Sequence, residues 1–92
     1  MPSTVRLALE DVAPNPVTGP IGARFSLPAA RAARLDVFDV DGRRIHSRQV
    51  GMFGAGNHTL MLNETAALRP GVYVLRLSQD GLLVSKRFVK IR

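Results

Sequence analysis

Cysteine and tryptophan are both absent from the 92 residues, and that double absence removes several classes of function at once. Without cysteine there is no disulfide framework, no thiolate metal site and no cysteine nucleophile. The compartment stays open, because a cysteine-free domain can work anywhere. Without tryptophan, and with only Phe25, Phe38, Phe53, Tyr73 and Phe88 as aromatic side chains, platforms that hold sugar faces or stack nucleobases are scarce. No apolar run approaches the roughly 18 residues that a membrane helix needs. Acidic residues are few as well, 7 against 13 Lys and Arg, for a formal charge of +6. The opening Met1-Pro2-Ser3-Thr4-Val5-Arg6 lacks a basic stretch, an apolar segment and a small-residue cleavage site, so it is not a secretory signal. It reads as the cut end of a linker, and the chain as a fragment of something longer.

What the sequence does contain is regular punctuation. Turn-forming clusters fall at Pro14-Asn15-Pro16, Gly19-Pro20, Pro28-Ala29, Asp41-Gly42, residues 51–56, Arg69-Pro70-Gly71 and Asp80-Gly81. The segments between them are short, and only residues 29–33 offer even about one helical turn. Turn signals every 8–12 residues or so mark an all-β sandwich or barrel. A chain of this length forms one domain, burying roughly 60–65% of its unfolded surface, and has no room for an interdomain cleft.

A two-residue period assigns faces. Ile21, Ala23, Phe25 and Leu27 oppose Gly22, Arg24 and Ser26; His58, Leu60 and Leu62 alternate with Thr59 and Met61; Tyr73, Leu75 and Leu77 oppose Val72, Val74, Arg76 and Ser78. In residues 33–40 the apolar set moves from Ala33, Leu35 and Val37 to Phe38 and Val40, which predicts a bulge or a change of sheet. A similar move from Val84 and Phe88 to Val89 and Ile91 predicts another. Asp41-Gly42 and Asp80-Gly81 both read as two-residue hairpin turns with positive φ at each central residue. Strands are expected near 5–10, 21–27, 33–40, 43–50, 57–62, 72–79 and 82–91: a seven-stranded antiparallel immunoglobulin-like β-sandwich. Residues 1–11 are expected to form a linker end and first strand, and 12–92 the single domain. Tyr73, placed just after the Gly71 turn, suits a tyrosine corner.

Little in the chain converges on catalysis. His46 and His58 sit on different strands, and the alternation of His58 with Leu60 and Leu62 favours a half-buried ring with a satisfied hydrogen bond. Ser26, Ser47, Ser78 and Ser85 lie in strands with no adjacent base and no nucleophile elbow. Asp36, Asp39 and Asp41 alternate in a way that could offer oxygen ligands to calcium, but the loop lacks a terminal bidentate glutamate. The simpler reading makes Asp41 part of the turn and leaves Asp36 solvated or paired with Arg34 or Arg43. Asn57-His58-Thr59 and Asn63-Glu64-Thr65 match a glycosylation tripeptide that arises often by chance. No enzyme activity, cofactor, metal or small-molecule substrate is expected.

Positive charge remains to be explained. Nucleic-acid binding would call for exposed rings beside the arginines or a basic helix, and the pattern provides neither. Lys86, Arg87, Lys90 and Arg92 crowd the last strand with no acid among them. Such charges guard an edge strand against aggregation, and they also offer an accessible address for a receptor.

Taken in order, Pro14-Asn15-Pro16, Phe25-Ser26-Leu27-Pro28, Leu35-Asp36-Val37-Phe38-Asp39-Val40-Asp41-Gly42-Arg43, Gly56-Asn57-His58, Leu68-Arg69-Pro70-Gly71-Val72-Tyr73 and Lys86-Arg87-Phe88-Val89-Lys90 resemble the C-terminal sorting domain of the type IX, or Por, secretion system. The likeness runs from about residue 12 to the end. It implies a non-catalytic delivery tag at the end of a secreted hydrolase, adhesin or protease of a Bacteroidetes-type bacterium. Its implied partners are an N-terminally fused cargo, the outer-membrane secretion machinery and a sortase-like protease, with passage through the periplasm to the cell surface. By matching position, the recognition residues are Asp39, Gly42 and Arg43 with Lys86, Arg87, Lys90 and Arg92, while Gly71 and Tyr73 serve the scaffold. A terminal strand with free edge amides and basic side chains could dock by strand addition and charge. Flagellar-hook-capping immunoglobulin-like modules share Asp-x-x-Gly-Arg and Gly-x-Tyr, but usually carry Trp-Asp-Gly where this chain has Leu62-Asn63-Glu64. The alternative reading is a passive spacer or cell-attachment module of a secreted multidomain hydrolase.

Overall fold

The computed structural model of the chain describes residues 6–91. Its strands are β1 (Ala8–Ala13), β2 (Ile21–Leu27), β3 (Ala33–Phe38), β4 (Arg44–Gln49), β5 (Gly56–Leu62), β6 (Gly71–Gln79) and β7 (Leu82–Lys90). Two short 3-10 turns, Gly51–Phe53 and Asn63–Ala67, complete the regular structure. The strands form a three-stranded sheet, β1-β2-β5, and a four-stranded sheet, β4-β3-β6-β7, and every strand pair is antiparallel. This is the expected sandwich, in the immunoglobulin-like variant whose fourth strand joins the second sheet.

The core follows from the alternation. Ile21, Ala23, Phe25 and Leu27 from one sheet meet Leu35, Val37, Leu75, Leu77 and Phe88 from the other, all buried. Each of the larger side chains contributes about 1.5–3 kcal/mol by leaving water. Tyr73 packs on Phe88 with ring centroids 5.5 Å apart, and its hydroxyl donates to the Arg69 carbonyl at 2.6 Å. The tyrosine corner is therefore formed, with the ring lying close to Gly71.

Several local expectations are corrected. The first strand runs from Ala8 rather than from near residue 5, and Val5 lies outside the described residues. A register shift between Leu9 and Asp11 lets Leu9 and Val12 both face inward, which hides the two-residue period. In place of a helical turn over 29–33, residues 28–31 form bends and β3 begins at Ala33; the Gln79 side-chain amide donates to the carbonyls of Ala29 and Arg31 at 2.9 and 3.0 Å and holds them away from helical partners.

Of the two Asp-Gly turns, only Asp80-Gly81 is the two-residue hairpin, with φ of 53° and 80° and Gln79 paired to Leu82. At Asp41-Gly42 only Gly42 has positive φ, 84°, and the loop spans residues 39–43. The bulge expected within residues 33–40 is not in β3, which pairs with β6 without a shift from Ala33↔Gln79 to Phe38↔Val74. The extra residue is Ile45 of β4, where Val37↔His46 is followed by Phe38↔Arg44, and β6 and β7 likewise pair without interruption from Gly71↔Lys90 to Gln79↔Leu82. Val89 and Ile91 consequently stay on the exposed side, and Lys90 takes the inward position.

One close approach fixes the crossing from β4 to β5. A Cβ on Gly51 would collide with the main chain of residues 31–33, so the 3-10 turn can press there only with glycine. Phe53, in that turn, closes over Phe25 and His58 at 6.5 and 5.6 Å. His58 Nε2 bonds the Gly54 carbonyl at 2.8 Å, as its half-buried position required.

Candidate functional site

The turn at residues 39–43 is built by its first side chain. Asp39 Oδ1 accepts the main-chain N–H groups of Asp41 and Arg43 at 3.0 and 2.9 Å, and Oδ2 accepts Arg43 Nε at 3.2 Å. The Asp39 N–H donates to the Arg43 carbonyl at 2.9 Å, and the Gly42 N–H to the Asp39 carbonyl at 3.0 Å. Local capture of this kind by an aspartate competes with the simpler hairpin geometry. The Arg43 N–H is the main influence holding the Asp39 carboxyl below its ordinary pKa; the Arg43 charge and the Asp41 N–H add to it, against a smaller opposing effect of desolvation. Arg43 also reaches Asp41 Oδ2 at 3.3 Å. Asp39, Gly42 and Arg43 thus form one stiff, largely charge-paired projection.

Asp36 does not join them. Its carboxylate is buried, Oδ2 accepts Arg34 Nε at 3.1 Å, and it lies opposite Arg76 in the β3–β6 register. Among the described residues no group of three His, Asp or Glu side chains converges as a metal site.

The basic terminal strand divides in two. Lys86 and Arg87 are exposed, but the expectation that Lys90 is an exposed recognition residue is corrected: it is 2% exposed. Its ammonium donates to the carbonyls of Gly19, Thr65 and Ala66 at 3.3, 3.0 and 2.8 Å. Thr65 is itself fixed, its hydroxyl donating to the Leu62 carbonyl at 2.6 Å and accepting the Ile21 N–H at 2.9 Å. Lys90 therefore ties β7 to the 3-10 turn and to the loop before β2, and gives the buried Thr65 carbonyl a donor beside the Leu68 N–H. Arg92 lies outside the described residues.

The free edge of β7 is likewise only partly free. The Val17 N–H donates to the Val89 carbonyl at 2.8 Å, and the Ile91 N–H to the Val17 carbonyl at 2.9 Å. Asn15 Oδ1 accepts the Val89 N–H at 2.9 Å. Asn15 Nδ2 also donates to the Arg87 carbonyl at 3.5 Å, so residues 15–17 cover the terminal end of the edge and only residues 83–86 leave it open, not the whole strand as expected from sequence.

Lys86 and Arg87 both line a depression with Asp11 and Val12 at the flank of the sandwich. Arg87 also reaches the outer face of the four-stranded sheet, where it lines a groove of about 420 Å³. One wall of that groove is the 39–43 turn, through Asp39, Val40 and Gly42; the floor is Phe38, Val72 and Val74; Arg76 lies beside Arg87. The groove therefore unites three of the residues expected from sequence, Asp39, Gly42 and Arg87. It adds Arg76, which sequence reasoning placed on this face without assigning it a role. The available signal was an arginine at an outward position between the apolar residues Val74 and Leu77. The guanidinium carbon of Arg76 sits 4.3 Å from the centroid of the Phe38 ring.

A family model described as a secretion system C-terminal sorting domain matches residues 11–91, nearly the whole chain. No curated protein matches it significantly.

Proposed function

The chain belongs to the family of secretion system C-terminal sorting domains, and from that premise we propose that its address is read from the outer face of the four-stranded sheet and that the domain performs no chemistry of its own. As a member it is a sorting signal of the type IX secretion system, fused C-terminally to a cargo and recognised by that machinery, and it directs the cargo to the cell surface or the extracellular space. In our reading the cargo passes through the periplasm, the receptor belongs to the outer-membrane translocon, and a sortase-like protease acts afterwards. The recognised residues are Arg87 and Lys86 of β7 with Asp39, Gly42 and Arg43 of the turn, and Arg92 continues the basic run in sequence.

The observation that carries this reading is the shared groove. It joins the Asp-x-x-Gly-Arg turn to the terminal strand, two segments some 45 residues apart that a receptor could then read as one surface. Internal satisfaction of Asp39 makes that turn rigid before any partner arrives, which lowers the ordering cost of recognition.

The test is a reporter carrying an N-terminal export signal and this chain at its C-terminus. It is expected on the surface of type IX-competent cells and inside cells whose translocon is deleted. A reporter retained in both strains would leave the chain a passive spacer.

A further inference from the structure

We propose that the groove seats an extended, acidic segment of a protein in the export machinery, with Arg76 and Arg87 taking its carboxylates; this deepens the sorting reading and rests on it. The two outer faces of the sandwich differ in chemistry. On the three-stranded sheet the outward positions Arg24, Asn57 and Thr59 are exposed and polar, and Met61 is the one large apolar side chain of β2 and β5 exposed among them. On the four-stranded sheet Val72 is 39% exposed and Val40, on the turn, 79%. Val89 stands directly opposite Val72. Apolar side chains gathered on the solvent face of a sheet mark a contact surface.

Charge then selects the partner. Two carboxylates share this face and both are already paired, Asp39 at the rim with Arg43 and the buried Asp36, directly opposite Arg76 in the β3–β6 pair, with Arg34, so positive charge remains in excess around the groove. Among the described residues neither Arg76 nor Arg87 forms an ion pair. Arg76 Nε is buried and has no hydrogen-bond partner, not even Oδ1 of Asp36 across the strand pair, an arrangement that costs free energy until an acceptor arrives. The Phe38 ring beneath the guanidinium holds it in place, so little side-chain freedom is left to lose.

Spacing points to an extended ligand. Arg87 faces Val74 across the β6–β7 pair, and Arg76 is the next residue on the same face of β6, which makes the two arginines diagonal neighbours. Diagonal neighbours stand roughly 7–8 Å apart, close to the separation of alternate side chains on one strand, about 6.5–7 Å. Carboxylates at alternate positions of an extended segment match that spacing, and apolar side chains further along its near face would rest on Phe38, Val72 and Val40.

The test has three arms. For the first, the probe is a capped seven-residue peptide with valine at its first and third positions, glutamate at its fifth and seventh, and serine between. It is expected to shift the backbone amide signals of Phe38, Val72, Val74 and Arg87. Replacing the glutamates with lysines, or making R87E or R76Q, should weaken binding at least tenfold, whereas R24E on the opposite sheet should not. Equal binding of the lysine peptide, or shifts confined to other surfaces, would overturn the proposal.

In the second arm, surface export of the reporter should fall about tenfold in R87E and in R76Q, each verified as folded by its melting temperature, and stay unchanged in R24E. Export of both groove variants at the wild-type level would remove the groove and leave the sorting reading intact; failure of the wild-type fusion would remove the sorting reading instead. In the third arm, phosphatidylglycerol vesicles should bind no better to the wild type than to R87E. Strong vesicle binding that R87E abolishes would replace the acidic protein segment with a membrane surface.

Discussion

Residues 82–86 and residues 87–90 of β7 each combine apolar side chains with a lysine, yet Lys86 stands in solvent while Lys90 is 2% exposed with its ammonium on three carbonyls. The first half is an open edge next to β1; the second is covered by residues 15–17. A lysine's chemistry is the same in both places, and its surroundings decide what it does. In the second half the inward side chains hold the fold together, and only the outward Arg87 and Val89 remain available to a receptor. Charge along a terminal strand is therefore no measure of how much of it can be read.

The contrast should be largest for the buried lysine. Lys90→Met keeps the apolar stem but strips the donor from three carbonyls, and is expected to cost about 3 kcal/mol, about 1 kcal/mol for each hydrogen bond lost. In a domain of this size that lowers the melting temperature by roughly 10–20 °C, readable by circular dichroism. A shift under 2 °C would place Lys90 in solvent and erase the distinction between the halves.

Asn15→Ala should cost about 1 kcal/mol by exposing the covered edge, since Asn15 Oδ1 holds the Val89 N–H at 2.9 Å. Amide exchange sharpens the same point without a mutation. The N–H groups of Val89 and Ile91 should exchange at least tenfold more slowly than those of Leu83 and Ser85, which face the open part of the edge. Asn15→Ala should narrow that gap at Val89.

A smaller effect concerns the turn beside Arg87. The Asp39 carboxyl is held below its ordinary value, so its ionisation contributes stability above about pH 3.8 that is lost as the pH falls below that value toward the lowered one. Asp39→Asn removes this component, and the variant's melting temperature should decline less steeply than the wild type's below about pH 4. Identical slopes would mean that the turn is not held by the ionised carboxylate. The smallest effect belongs to Lys86→Ala, expected to change stability by no more than about 0.5 kcal/mol, as exposed substitutions do.

Much of the fold was legible because the sequence repeats one physical signal. Strict alternation at Ile21, Ala23, Phe25 and Leu27, and again at Tyr73, Leu75 and Leu77, placed β2 and β6 and their faces, and all of these residues are buried. β1 was harder to locate because its bulge puts Leu9 and Val12 three residues apart on one face, and no two-residue period survives that. Asp41-Gly42 and Asp80-Gly81 are the same dipeptide, but only the first has an aspartate two residues upstream whose carboxylate captures the following amides. The difference between the two turns thus lies outside the dipeptide.

The groove and the Lys90 contact were hidden for another reason. The Lys90 acceptors, Gly19, Thr65 and Ala66, come from segments 24 to 71 residues away, and their meeting depends on the closed sandwich. Arg76 was visible as an outward side chain, but its place over Phe38 and beside Arg87 follows from strand pairing. These arrangements also show why deleting residues 88–92 is a poor test of the address. The deletion removes Phe88 from the core along with Lys90, so loss of export would report unfolding as readily as loss of recognition.

The most direct measurement is surface display of a reporter carrying Arg87→Glu or Lys90→Met, in type IX-competent cells grown below the melting temperatures of both. Arg87→Glu is expected to keep its melting temperature and lose export, while Lys90→Met loses melting temperature and is exported as long as it is folded. The reverse pattern, with Arg87→Glu exported normally and folded Lys90→Met retained, would contradict the division of β7 into a structural face and a read face.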